Sequence, residues 1–128
     1  MDELFWTLLA NAPAVQSLVS GRVYWGVAPQ DEPMPYLVLN VISATDHPHM
    51  QGAGGFWQYR VQVDSYGTDR PSARNLSRAV RGEINGTRAG EIRLILFDAE
   101  REIHEAGASG RPFRISQDFI ITWRPDHG

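Results

Sequence analysis

Residues 57–67, WQYRVQVDSYG, alternate between apolar and polar side chains. Trp57, Tyr59, Val61, Val63 and Ser65 fall on one face of an extended strand, and Gln58, Arg60, Gln62, Asp64 and Tyr66 on the other, because strand side chains alternate with period two. A second run of this kind occupies 113–124, where Phe113, Ile115, Phe119, Ile121 and Trp123 alternate with Arg114, Ser116, Asp118, Thr122 and Arg124. YLVLNVISATD (36–46) predicts a strand with apolar residues on both faces, and 91–104 a fourth strand. RVYWGVAP reads as a short extended piece. PQDEPMP is a proline-rich loop that cannot join a central sheet, since proline offers no N–H to the ladder.

Elsewhere the period is helical. Leu4, Phe5, Leu8 and Leu9 form a stripe, with Asp2 and Glu3 where the helix dipole favours acids. Asn11-Ala-Pro13 interrupts it, and PAVQSLVSG reads as a second short helix with Pro13 at its first position and Gly21 closing it. Ala73, Leu76, Val80 and Ile84 mark a third, with start signals in Asp69–Ser72 and a stop at Asn85-Gly86. HPHMQGAGG and AGASGRP are loops between strands, the first the tip of a long protruding hairpin. The order predicts one α+β domain over 1–128, with a mainly antiparallel four-stranded sheet, helices packed on one face, and a frayed tail at 125–128.

The second face of such a sheet is normally solvated. Three stretches conflict with that: Tyr24-Trp25, Leu37–Leu39 with Val41-Ile42, and Phe56-Trp57 each place large apolar groups on both faces. A chain of 128 residues has too much surface for its volume to bury them all alone, which predicts an oligomer.

Composition narrows the chemistry. Hydrophobic residues make up 42% and charged residues 21%, with a net charge of −3 and a pI near 5.7, so no global charge points to nucleic acid or to an anionic membrane. All 12 basic residues are arginine. The absence of cysteine excludes thiolate catalysis, disulfides and cysteine-ligated metals. No apolar run approaches the roughly 18 residues of a membrane-spanning helix, and the acidic start MDELFWTLLANA does not resemble a signal peptide.

Three constellations invite a functional reading. Arg60 and Asp64 stand roughly 13 Å apart along one strand face, so they reach cross-strand partners rather than each other. Arg114 and Asp118 repeat the spacing, and a polar ladder at the surface or at a subunit contact follows. His47 and His49 in HPH suggest a metal, but no HExxH and no carboxylate at ligand spacing beyond Asp46 accompanies them. Arg70, Arg74, Arg78 and Arg81 recur at i, i+4, i+8 and i+11. They read as a solvated face, as partners for Glu100, Glu102 or Glu105 of a neighbouring subunit, or as a phosphate-binding stripe that lacks an aromatic platform. No catalytic residue, metal site or cofactor site is assigned.

The order of short motifs carries more. SLVSGRVYWGVAPQDEPMPYLVLNVIS combines a Gly-Arg-Val-Tyr turn, an Ala-Pro-Gln loop and a Pro-Tyr-Leu-Val strand; RVQVDSYGTDRPSARNLSRAVRGEING runs an Arg-Val-Gln-Val-Asp strand into an amphipathic helix. Over residues 10–124 the chain resembles the tail-completion proteins of long-tailed phages, also called tail terminators or tail-to-head joining proteins, with relatives in prophages and gene transfer agents. The resemblance implies a non-enzymatic virion protein at the head–tail junction, assembled in the host bacterial cytoplasm. It implies a homo-oligomeric ring, a hexamer, that caps the tail tube protein and meets the head-closure or connector protein. DNA would pass through the lumen without specific binding, and no membrane or cofactor is involved. Neighbouring roles remain open: a head-closure or stopper subunit, a minor tail protein, or a nucleic-acid module using the Arg70–Arg81 stripe. The expected interface comprises Arg60, Asp64, Phe56, Trp57, Trp25, Met50, Arg74 and Arg78, with the hairpin tip at about 46–56 reaching an adjacent subunit or the tube. A change at Arg60 is expected to loosen assembly before it loosens the fold.

Overall fold

The protein is described by a computed structural model covering residues 1–47, 55–103 and 113–125. Three helices, α1 (Asp2–Asn11), α2 (Pro13–Val19) and α3 (Arg70–Ile84), pack on one face of a sheet. Its strands are β1 (Val23–Trp25), β2 (Tyr36–His47), β3 (Phe56–Gly67), β4 (Ile92–Ile103) and β5 (Phe113–Trp123). The strand order is β1-β2-β3-β5-β4. All pairings are antiparallel except β1 with β2.

Among the described residues the sheet therefore has five strands, not four. RVYWGVAP contributes Val23–Trp25 as a short parallel edge strand, aligned with Leu37–Leu39. A parallel neighbour requires the chain to return to its starting end before pairing, and residues 26–35, which include the proline-rich loop, make that return. Three residues leave too little alternation to read from sequence. Tyr24 shares a sheet face with Val38 by register, and its hydroxyl donates to Glu32 of the loop. The loop thus lies on the helix-free face, where Val38 is 5% exposed. One of the three doubly apolar stretches is in this way largely buried by the chain itself: Leu37, Val38 and Leu39 are all buried, while Val41 and Ile42 beyond them are exposed.

The core forms where the predicted stripes meet. Phe5 and Leu9 of α1, Val15 and Val19 of α2, and Leu76, Val80 and Ile84 of α3 close over Leu37, Leu39, Val61, Val63, Ile95, Phe119 and Ile121. Each such side chain, fully buried, stabilises the fold by about 1.5–3 kcal/mol before entropy is counted. The apolar face of WQYRVQVDSYG meets α3, as its period predicts. Trp6 ties α1 to the sheet edge by donating from Nε1 to Val23 O at 2.8 Å.

Local signals set the ends of α3. Asp69 caps it by accepting from Ser72 N at 2.9 Å, and Pro71 occupies the first turn, where no helical N–H is needed. Asn85 ends it and accepts from Phe97 N at 2.9 Å, fastening the helix end to β4. Between β3 and α3 the turn is tight. A Cβ on Gly67 would lie 2.5 Å from Ala73 N and 2.9 Å from Ser72 Oγ, so only glycine lets the strand end this close to the helix.

The tip of the β2–β3 hairpin, with Met50, His49 and the QGAG of 51–54, lies outside the described residues. So do the β4–β5 loop with Glu105 and the tail from residue 126.

Two glycines give opposite predictions. Gly67→Ala should destabilise the protein by about 2–3 kcal/mol through overpacking against backbone, lowering Tm by roughly 10 °C. Gly82→Ala in the exposed flank of α3, where a Cβ would meet nothing within 4 Å, should raise stability by about 0.5–1 kcal/mol. Thermal or urea unfolding of the two variants checks both signs.

Candidate functional site

The helix-free face of the sheet is polar at its centre. Cross-strand register places Gln62 beside Asp118, Asp64 beside Ser116 and Tyr66 beside Arg114 on β3 and β5, with Arg101 of β4 beside Ser116. Long side chains then bridge diagonally. Arg60 donates to Asp118 at 2.9 Å and reaches over β5 to Asp98 of β4 at 2.6 Å. Arg101 lies 3.4 Å from Asp118 and donates to Gln62 Oε1 at 2.9 Å. Asp98 beside Arg60 holds the guanidinium pKa above its ordinary value, with Asp118 adding to the effect. The two Arg-x-x-x-Asp strands are thus neighbours, and the four spaced residues pair across them.

Asp64 occupies the protected part of this ladder. It is 2% exposed, accepts from Ser116 Oγ and, at 3.0 and 3.1 Å, from Gln62 Nε2, and has Arg114 3.8 Å away. A buried carboxylate persists only with such partners. Tyr66 stacks on Tyr36 with ring centroids 4.8 Å apart, and Arg114 sits over the Tyr66 ring. Burial raises the Tyr36 pKa above its usual value. Asp64 is accordingly turned inward, and a partner arriving on this face meets Arg60, Asp98 and Arg101 before it.

The register of β4 explains why Asp98 and Arg101 escaped the sequence reading. Ile95 and Phe97 face the helices opposite Ile121 and Phe119. The pairing slips between Phe97 and Ala99, and an extra residue in one strand reverses its alternation. Beyond the slip Glu100 pairs with Gln117 and Arg101 with Ser116. Glu100 and Glu102 thereby point towards α3. A second slip between Ile92 and Leu94 further obscures the pattern.

That placement also resolves the arginine stripe. Arg70 pairs with Glu102 at 2.7 Å and Arg74 with Glu100 at 3.8 Å, both within one chain, and Arg81 lies 4.0 Å over the Phe97 ring. Arg70 lowers the pKa of Glu102. As pH falls through that depressed value, the small stabilisation this exposed pair supplies at higher pH is lost. The acids expected from a neighbouring subunit are therefore met inside the chain for Glu100 and Glu102. Gln117, fully buried, adds bonds to Glu100 Oε1 at 3.0 Å and Ser77 O at 3.1 Å. Arg78 is exposed.

The remaining expected interface residues lie apart from the ladder. Trp25 is half-buried against Phe5, with centroids 6.3 Å apart. Phe56 stacks on His47 at 4.7 Å. Trp57, 36% exposed, stacks against Tyr59 at 6.1 Å near the outer end of the hairpin. Among the described residues no three histidine, cysteine or acidic side chains converge as a metal site would require. Surface hollows line the start of α1, the junction of α1 with the end of α3, and the Phe56–Arg124 end of the sheet; Arg60 and Asp64 line none of these. Among the described residues no helix is long and apolar enough to cross a membrane.

Residues 5–124 match the family described as Tail completion protein gp17. A chain in the virion of a native gene transfer agent particle has the same fold, with a TM-score of 0.71 and 18% identity over 94% of this chain and 91% of that one. No curated protein matches the sequence.

Two variants test the ladder. Because Arg60 pairs within its own chain, the expectation that assembly would loosen first is revised: Arg60→Asp sets a third carboxylate between Asp98 and Asp118 and should lower Tm on its own. Adding Asp118→Arg should recover part of the loss, and a double variant no more stable than the single one would contradict the pairing. Asp64→Ala should cost about 1–3 kcal/mol by stranding buried donors, and Asp64→Asn less, as denaturant titration would measure.

Proposed function

The chain belongs to the tail completion protein gp17 family, and on that footing we propose that it forms a ring, a hexamer, which ends the tail tube and joins it to the head connector. The coarser role follows from membership: a non-enzymatic structural component of a phage-like virion, in contact with other proteins of the particle. The observation that supports the finer reading is the family match over residues 5–124, most of the 128-residue sequence.

The physical features agree with it. A ring subunit needs two different lateral surfaces and an axial one, and apolar groups do remain exposed at several places, including Val27, Val41, Ile42, Trp57 and Leu96. The charged ladder gives the sheet a rigid, internally neutralised face. In this reading Arg60, Asp98 and Arg101 form one contact surface on the helix-free face, while Phe56, Trp57 and Trp25, with Arg74 and Arg78 of α3, lie apart from the ladder and serve other contacts. The tail tube protein and the head-closure or connector protein are the axial partners. A net charge of −3 suits a lumen through which DNA passes without sticking.

Electron microscopy of negatively stained protein, with native mass spectrometry, should find rings of about six subunits, as closed heterologous assembly requires. Compact monomers at every concentration, alone and with tail tubes, would overturn the ring.

A further inference from the structure

Among the described residues, each edge of the sheet is blocked over one half and open over the other. β1 covers β2 only at Leu37–Leu39, with two flanking bonds, from Leu37 N to Arg22 O at 3.0 Å and from Gly26 N to Leu39 O at 2.8 Å. From Asn40 to His47 no strand lies outside β2 among the described residues. This stretch is rich in β-branched side chains and exposes Val41 and Ile42, at 41% and 52%. On the other edge, the segment after α3 covers β4 from Ile92 to Phe97: Gly86 N bonds Ile95 O, Ile95 N bonds Thr87 O, Ala89 and Ile92 exchange bonds, and Phe97 N bonds Asn85 Oδ1. From Asp98 to Ile103 β4 has no outer strand among the described residues. An exposed edge with unpaired backbone groups is a template for another strand.

We infer that the open half of β2 in one copy receives the open half of β4 from the next, joining neighbouring sheets into one. This contact rests on the ring reading and gives it a lateral bond. Three features favour a second copy as the occupant. First, β4 runs opposite to β2, since β2, β3, β5 and β4 alternate in direction; a copy rotated about an axis along the strands therefore offers β4 antiparallel to β2. Second, the open halves lie at diagonal corners. Arg101 is level with Val38 through Ser116 and Asp64, whereas the open part of β2 centres on Ser43 and Ala44. Joining them staggers each copy by about five residues across five strands, the one-residue-per-strand ratio at which closed barrels tilt their strands by about 36°. Third, that stagger carries each blocked half past the end of its neighbour's strand, so neither β1 nor residues 85–89 obstruct the pairing. Glu100 and Glu102 approach already neutralised by Arg74 and Arg70.

By the alternation of an antiparallel ladder, Ala44 on β2 and Glu100 and Glu102 on β4 turn their backbone N–H and C=O groups outward. The chain has no cysteine, so introduced thiols report this contact alone. Ala44→Cys combined in turn with Glu100→Cys and with Glu102→Cys should give, on mild oxidation of the full-length protein, a ladder of covalent oligomers up to a closed ring for at least one pair. The single-cysteine variants should give none. Ala44→Pro, which removes an outward N–H and no internal ladder bond, should keep the circular dichroism and Tm of the parent and associate about tenfold more weakly, the effect of losing roughly one backbone hydrogen bond. Intact rings with no crosslink in either pair and unaltered by Ala44→Pro would overturn the edge contact while leaving the ring. Ala44→Cys alone crosslinking into dimers would overturn it in favour of a symmetric β2–β2 contact. A parent chain that stays monomeric throughout would remove both readings. Should Ala44→Pro lose its fold, the crosslinks alone decide.

Discussion

The slip in β4 at Asp98 governs how charge is distributed over the two faces of the sheet. Before it, Ile95 and Phe97 point to the helices; after it, Glu100 and Glu102 take over that side, where Arg74 and Arg70 of α3 meet them. The same slip leaves Asp98 and Arg101 on the helix-free face, within reach of Arg60 and Asp118. One extra residue in a strand therefore fastens α3 to the sheet edge and completes the ladder across β3, β5 and β4. Without it, alternation would turn the acids of β4 away from α3.

The ladder shows what kind of polar site this is. A catalytic carboxylate needs a concave, partly dry setting with room for substrate. Asp64 is dry, but its oxygens are occupied by Ser116 and Gln62, and Arg114 stands close by. Arg60 likewise is committed to two carboxylates. Groups satisfied in this way rigidify a surface and fix its register. That is the physical content of a structural role in a particle tail, where a subunit must hold its shape while contacts with other proteins form around it.

Rigidity of the sheet also matters at its edges. Proteins usually suppress open edges with bulges, charges or covering segments. Here β4 has all three over part of its length, whereas the outer half of β2 has a register slip between Val41 and Ser43 and one acid, Asp46, but no covering segment among the described residues. Stability of the single chain does not call for such an edge, since the core is complete without it.

How much of this was legible in the sequence depends on the range of the interaction. Periodicity placed three helices and the four long strands, because burial of one face imposes a period of 2 or 3.6 on neighbouring residues. Asp69 and Asn85 marked the ends of α3 because capping is local. The matching spacing of Arg60/Asp64 and Arg114/Asp118 pointed to cross-strand partners, which the register then supplied. β1 was missed as a sheet member because three residues carry no period, and its pairing is with a strand eleven residues away by a returning loop. The ladder's outer members, Asp98 and Arg101, and the intrachain partners of Arg70 and Arg74 were missed for one reason. Two slips in β4 break the alternation, and a slip is defined only against the strand beside it. The sequence by itself determined which segments fold and which faces they bury; the tertiary structure decided which charges meet and which edges stay open, because both depend on register between strands distant in the chain.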